Sequence, residues 1–487
     1  MKSDVVKPGK RATSLGAMCL IYNQVVTALS GVYIASHLGP AEYGVVSLAR
    51  TALVILATIA PLGLDLSLQR YLAFAPPNSL QRYQVNLLRL TVLPLSVLII
   101  LACTAGFGSY AEATWFPNSG FSAVLTITML ALPPLVDQAV LGGAFRGIMN
   151  PLPSLIASYA VQPTARFILA LILFQGGASA LDVAYATSMA AILSAATVWI
   201  IAARAFPVGR KTFTLNADIK QLLLYSPILA ISMVVTTITR STDALTLGVF
   251  SGTTDVGIYN VALLIGQLIV VAGAALGQSL PGQVANAYKS NKPADVETLL
   301  KNTALLASVF AAPVYVGVAL WGNRASLVLG AAFEIDAVAL TLICSTQFAY
   351  VIFGFGGLAL SMTGHQNPEL RILLVGMVIQ IFASLLLVPH FGIGGAAVSS
   401  LTTTFSILFM RGIAVKRLIG ISSVPIYALL PPIVAAALGL PIFFVTRELT
   451  QTSLAWTCIA GTAFVSIYFV VILLGRPLVL KRQGKIT

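Results

Sequence analysis

Charge is what this sequence has least of. Asp, Glu, Lys and Arg make up 9% of its 487 residues, against about 25% in an ordinary soluble domain, so the polar coat of a water-soluble globule is missing. Histidine and cysteine are scarce too. The three histidines, His37, His365 and His390, fall at helix ends or turns without partners at metal-ligand spacing. The four cysteines, Cys19, Cys103, Cys344 and Cys458, lie inside apolar stretches with no Cys-x-x-Cys pair, which argues against a zinc site and a disulfide framework. There is no Walker motif, and no external connection exceeds about a dozen residues, too little to house the acid and base of a membrane enzyme. Acids are outnumbered, 15 against 28 Lys and Arg, for a formal net charge of +13. The basic residues are scattered between hydrophobic runs, so the excess does not imply nucleic-acid binding.

What remains is apolar: 58% of the residues are hydrophobic and the mean hydropathy is +0.93. Runs of about 20 mostly apolar residues, the length that crosses a bilayer as a helix, are centred near residues 25, 55, 98, 133, 164, 192, 236, 268, 312, 348, 380, 402, 435 and 464. The sequence therefore predicts an all-α polytopic membrane protein of about fourteen transmembrane helices. Pro133 and Pro134 interrupt the fourth run, and only His390 to Gly395 separate the eleventh from the twelfth. With the amino terminus in the cytoplasm, nearly all loop cations fall inside, Arg82, Arg89, Arg146, Arg371 and Arg411 among them; only Arg324 and Arg447 fall outside. This bias predicts cytoplasmic termini. The first run has no small-residue cleavage site and reads as a retained helix.

A weak repeat joins the two halves. Gly39-Pro40-Ala41-Glu42-Tyr43-Gly44 is echoed 213 residues later by Gly252-Thr253-Thr254-Asp255-Val256-Gly257. Gly147-Ile148-Met149-Asn150-Pro151 is echoed at an offset of 217 by Gly364-His365-Gln366-Asn367-Pro368, and Gly177 finds Gly394 at the same offset. The competing explanation is that Gly, Asn and Pro mark turns wherever chains turn. The repeat predicts two parallel six-helix lobes with two further helices, a transporter architecture with its site between halves that rock. The expected divisions are a basic leader 1–11, an N-lobe 12–203, a basic linker 204–221, a C-lobe 222–412, two helices in 413–475 and a basic tail 476–487.

Ionised side chains inside a bilayer are costly, and each is a functional hypothesis. At 1.5 Å per residue, Arg50 falls roughly 10 Å below the outer surface on the second helix, Arg166 near the midplane of the fifth, and Arg240 roughly 15 Å below the outer surface on the seventh. The deep acids are Asp137 and Asp243, candidates for ion pairing or for coupling to protons or sodium; Asp65 lies near a solvated helix end. A structural reading exists for each cation: Arg240 can pair with Asp243 at i, i+3, Arg50 can snorkel, and Arg166 can pair with Asp137. Three cations against two acids still leave one for an anionic partner, and the guanidinium fork suits phosphate oxygens. Asn23, Gln24, Asn260, Gln267 and Gln380 are deep enough to complete a hydrated cavity or to form interhelical hydrogen bonds.

The segment Leu38-Gly39-Pro40-Ala41-Glu42-Tyr43-Gly44, with Leu62-Gly63-Leu64 and Arg70-Tyr71-Leu72, resembles the opening of bacterial polysaccharide-biosynthesis flippases. These are the O-antigen, lipopolysaccharide and exopolysaccharide transporters of the multidrug/oligosaccharidyl-lipid/polysaccharide superfamily. Asp243 followed by Val256-Gly257-Ile258-Tyr259 looks like the start of that family's second half. The resemblance implies a V-shaped pair of lobes in the bacterial inner membrane. Such a transporter moves undecaprenyl-diphosphate-linked oligosaccharide to the periplasmic leaflet by alternating access, with a cationic cavity around the diphosphate. Arg50, Arg166 and Arg240 suit such a cavity. It further implies no cofactor beyond a coupling proton or sodium ion, membrane lipids and the polymerase and chain-length machinery as partners, no nucleic acid, and a monomer. The lipid II flippase branch brings arginines to the cavity from its first helix, whereas here that helix has only Arg11 at its edge. A multidrug and toxin extruder shares the architecture but favours an acidic site, and a membrane enzyme of glycan assembly is the remaining alternative.

Overall fold

The computed structural model describes residues 10–73, 79–209, 217–277, 280–330, 332–422 and 425–483. Among them every regular element is helical, as the apolar runs require: a bilayer offers backbone polar groups no water, and a helix satisfies them within itself. Among the described residues eleven helices are long and apolar enough to cross a membrane. Two of these are double. The Lys10–Ile59 helix is broken at Gly39, φ 75°, ahead of Pro40, and the Gln366–Leu418 helix is broken at Gly392, φ 51°. Only glycine takes such backbone angles at little steric cost. The Ala217–Phe250 helix, 34 residues long, is a further element of spanning length, and the fourteen centres read from the sequence are then all accounted for.

Two connections differ from expectation. The stretch from His390 to Gly395, read as a loop, is a sharp kink within a continuous helical run. The interruption at Pro133 and Pro134 resolves into two stacked pieces, Phe121–Met129 and Leu132–Gly147. There the prolines occupy the first turn of the second piece, where a missing N–H leaves no helical bond unmade.

The contacts divide the chain into two compact units, Met1–Val261 with Leu370–Ser399, and Ala262–Glu369 with Ser400–Thr487. These units follow packing, whereas the 12–203 and 222–412 halves follow the repeat, and the two divisions cut the chain at different places. Close approach in the first unit depends on small residues, as in membrane helices generally. The Leu64–Tyr71 helix lies so tightly on Leu132–Gly147 that a Cβ on Gly143 would stand 2.0 Å from the Asp65 carbonyl oxygen. In the second unit the Pro293–Trp321 helix packs against Ala337–Phe353 and Leu430–Thr452. It is pinned there by Ser308 Oγ donating to the Ala428 carbonyl (2.6 Å) and Tyr468 Oη donating to Val309 (3.0 Å). A buried Arg411–Glu369 ion pair ties the two ends of the kinked run, and the Arg411 guanidinium covers Gly357.

Candidate functional site

Within the first unit the first, second, fourth, fifth and sixth spans line a half-open cavity of about 180 Å³. Its polar wall is assembled from four of them: Asn23 and Thr27, then Arg50, then Ser158, Gln162 and Arg166, and last Thr187. Leu53, Val54, Ala57 and Leu135 supply apolar surface. None of the lining residues is Asp or Glu. Two guanidiniums therefore face one hollow with no carboxylate in its wall.

Local structure explains the register. Pro163 follows the start of the Gln162–Leu173 helix, and in a regular α-helix its ring would meet the carbonyl four residues earlier. The chain opens into a single π turn, Ala157–Val161, just before it. Such widened turns are frequent at functional sites. Ser158 within the turn and Gln162 and Arg166 after it all face the cavity.

Arg166 Nη2 donates to Ser30 Oγ at 3.1 Å. Its Nε is buried with no hydrogen-bond partner among the described residues, and a buried donor left unpaired is costly. Arg50 is exposed on its helix and makes no hydrogen bond or ion pair among the described residues. Asn23 Oδ1 accepts from Thr27 Oγ1 at 3.5 Å.

The other residues singled out in the sequence lie elsewhere. Arg240 is exposed on the Ala217–Phe250 helix and does not line this cavity. Gln24 is half-buried one position from Asn23, and Asn260 Nδ2 donates to its own helix at the Val256 carbonyl, 2.9 Å away. Gln267 is exposed and belongs to the second unit.

The acids have partners that spacing did not reveal. Asp137, 1% exposed, is held by both nitrogens of a forked contact from Arg89, 2.7 Å each, and by Trp199 Nε1 at 2.5 Å. Its ion pair is with Arg89, not Arg166. Arg89, read from sequence as an inner-loop cation, lies inside the Leu80–Ala102 helix. It also donates to Asn86 Oδ1, and Asn86 Nδ2 in turn reaches the Phe206 carbonyl. Asp243, 2% exposed, sits among neutral donors. Its Oδ1 accepts from Gln380 Nε2 (2.6 Å), Ser399 Oγ (2.9 Å) and Ser384 Oγ (3.0 Å), and its Oδ2 from Tyr259 Oη (3.1 Å). Of these partners Gln380 and Tyr259 stood out in the sequence, Tyr259 only as part of a motif; the single serine hydroxyls on apolar helices carry no spacing signal. Among the described residues no group of three His, Cys, Asp or Glu is arranged to hold a metal.

Comparison with known proteins bears on the family and the fold. The profile of a family described as "Polysaccharide biosynthesis protein" matches residues 10–281. A probable flippase, AglR, of Haloferax volcanii is 29% identical over 189 residues, which is 37% of this chain and 40% of that protein's length. Among solved structures, the lipid II flippase MurJ in an inward closed conformation superposes with a TM-score of 0.74 at 14% identity, over 96% of this chain and 99% of that one. An inward-facing multidrug resistance MATE family transporter of the MOP superfamily gives a TM-score of 0.67 at 13% identity, over 83% and 98%. At these identities the two structures establish a shared fold.

Proposed function

The chain belongs to the polysaccharide biosynthesis protein family, and from that premise we propose that it is a flippase for lipid-linked oligosaccharide. The carrier we assign is undecaprenyl diphosphate, the direction is from the cytoplasmic to the periplasmic leaflet, and the setting is the bacterial inner membrane with both termini inside. O-antigen, capsule or exopolysaccharide assembly would consume the product. The reading has no bond-breaking step, and the work is transport.

One observation carries it: Arg50 and Arg166 line a cavity whose wall contains no acid. Moving a diphosphate unaided through hydrocarbon carries an ion-desolvation cost of order tens of kcal/mol. Fixed guanidiniums in a polar hollow offset that cost, and they match phosphate oxygens in geometry. The same wall is a poor fit for the cationic drugs of an extruder. An inside-negative potential favours outward movement of an anion by roughly 2.3 kcal/mol per charge per 100 mV. Asp243 and Asp137 are the residues through which a proton or sodium gradient would add to that drive.

Reconstitution tests the proposal. Protein in vesicles is expected to move a fluorescent undecaprenyl-diphosphate-linked oligosaccharide between leaflets, and the Arg50→Ala, Arg166→Ala double variant is expected to stop it while remaining in the membrane. Wild-type transport by the double variant, or transport of a cationic dye in place of the glycolipid, rejects the reading.

A further inference from the structure

The cavity's polar wall depends on one irregular turn, and two buried residues that do not line the cavity hold that turn in place. The Ala157 carbonyl accepts the long-range N–H of Gln162 that defines the π turn. It also accepts from Ser194 Oγ at 2.8 Å. Gln138 Nε2 donates to Ser158 Oγ at 2.8 Å, and Ser194 Oγ lies 3.2 Å from Gln138 Oε1. Ser194 is fully buried and Gln138 is 4% exposed. Neither is among the residues of the cavity wall.

A π turn inserts one residue into the helical count, and one residue is about 100° of rotation at 3.6 residues per turn. Were the turn to relax into regular α-helix, Ser158 would swing by about that angle relative to Arg166, and the two would no longer face one hollow. Pro163 makes widening favourable at this point but does not fix which carbonyl opens. The hydrogen bonds from the fourth and sixth spans do.

We infer that Ser194 and Gln138 are positioning residues for the anion cavity: by clamping the Ala157–Val161 turn they set the angle between Ser158 and Arg166, and with it the affinity for a diphosphate headgroup. This rests on the flippase reading above. The two residues touch no substrate, so their removal alters the wall's geometry and leaves its charge intact.

The test is a saturation series with full-length protein in vesicles, using undecaprenyl diphosphate bearing a single fluorescently labelled hexose. Ser194→Ala, Gln138→Met and Arg166→Gln are run in parallel, and thermal unfolding of each is recorded. Ser194→Ala and Gln138→Met are near-isosteric, so the fold is expected to persist. Each is expected to raise the half-saturation concentration about three- to tenfold, the loss of one well-placed hydrogen bond, with the maximal rate retained. Binding of inorganic pyrophosphate to the same variants is expected to weaken in parallel. A half-saturation concentration equal to wild type in both, with Arg166→Gln impaired, overturns the positioning role and leaves the flippase reading intact. Unimpaired transport by Arg166→Gln removes the headgroup site itself.

Discussion

Gly44 and Gly257, 213 residues apart, touch backbone to backbone in a reciprocal arrangement. A Cβ on Gly44 would stand 1.7 Å from the Thr253 carbonyl oxygen, and a Cβ on Gly257 would stand 2.0 Å from that of Pro40. Each imaginary methyl lies 3.1 Å from the other glycine's nitrogen. Thr253 and Pro40 are themselves related by the same offset, so the two copies of the motif meet across a local two-fold. Replacement of either glycine by alanine forces backbone apart, and overpacking of this kind costs about 1–3 kcal/mol or more. Thermal unfolding in detergent should show both variants markedly destabilised. Gly412→Ala, where a Cβ meets nothing within 4 Å, should be neutral or slightly stabilising, because alanine is the better helix former.

Arg50 and Arg166 line the cavity and Arg240 does not. A charge-assisted hydrogen bond contributes about 1.5–3 kcal/mol, so Arg50→Ala and Arg166→Ala should each lower transport roughly ten- to a hundredfold. Arg240→Ala should have the smaller effect. Rates from vesicles with matched protein content measure the difference; an Arg240 variant worse than both cavity variants would shift the site to the seventh helix.

Breaking the Arg89–Asp137 pair from one side should be expensive. Removal of one partner of a buried pair costs about 3–5 kcal/mol, and the 22% exposure of the Arg89 side chain places the loss toward the lower end. Asp137→Ala should therefore lower the unfolding midpoint more than the combined Arg89→Met, Asp137→Leu change. A double-mutant cycle on purified protein reads the coupling directly.

Asp243 is surrounded by hydroxyl and amide donors. Asp243→Asn keeps the size and removes the charge. If this carboxylate couples transport to an ion gradient, the variant should retain potential-driven flipping and lose acceleration by an imposed proton or sodium gradient. Equal acceleration in variant and parent would exclude Asp243 from coupling.

The fourteen spans were readable because each needs its own apolar stretch, and the repeat was readable because its glycines answer to backbone geometry. The acids in that repeat now have a physical reason. Glu42 Oε2 accepts from the Ala180 N–H that opens the Ala180–Ala205 helix, 2.9 Å away, and Asp255 Oδ2 faces the Gly392 kink, 3.4 Å from where a Cβ would lie. Which cation meets which acid was not readable. Counting residues gives depth in the bilayer but not the direction a side chain faces, so Arg166 reads as the partner for Asp137 while Arg89, placed in an inner loop, does not. The π turn was hidden for a similar reason: Pro163 announces a disturbance, but the hydroxyl that fixes its form sits on another helix.

Ser30 and Asp243 occupy the same address in the two repeats, 213 residues apart. In one copy that address is a hydroxyl receiving Arg166; in the other it is a carboxylate gathering neutral donors. Transplanting the acid, Ser30→Asp, would set a counter-ion against Arg166 and cancel its pull on anions. On the flippase reading, the preference of the hollow for anions would then hinge on one side chain, without redesign of the surrounding scaffold.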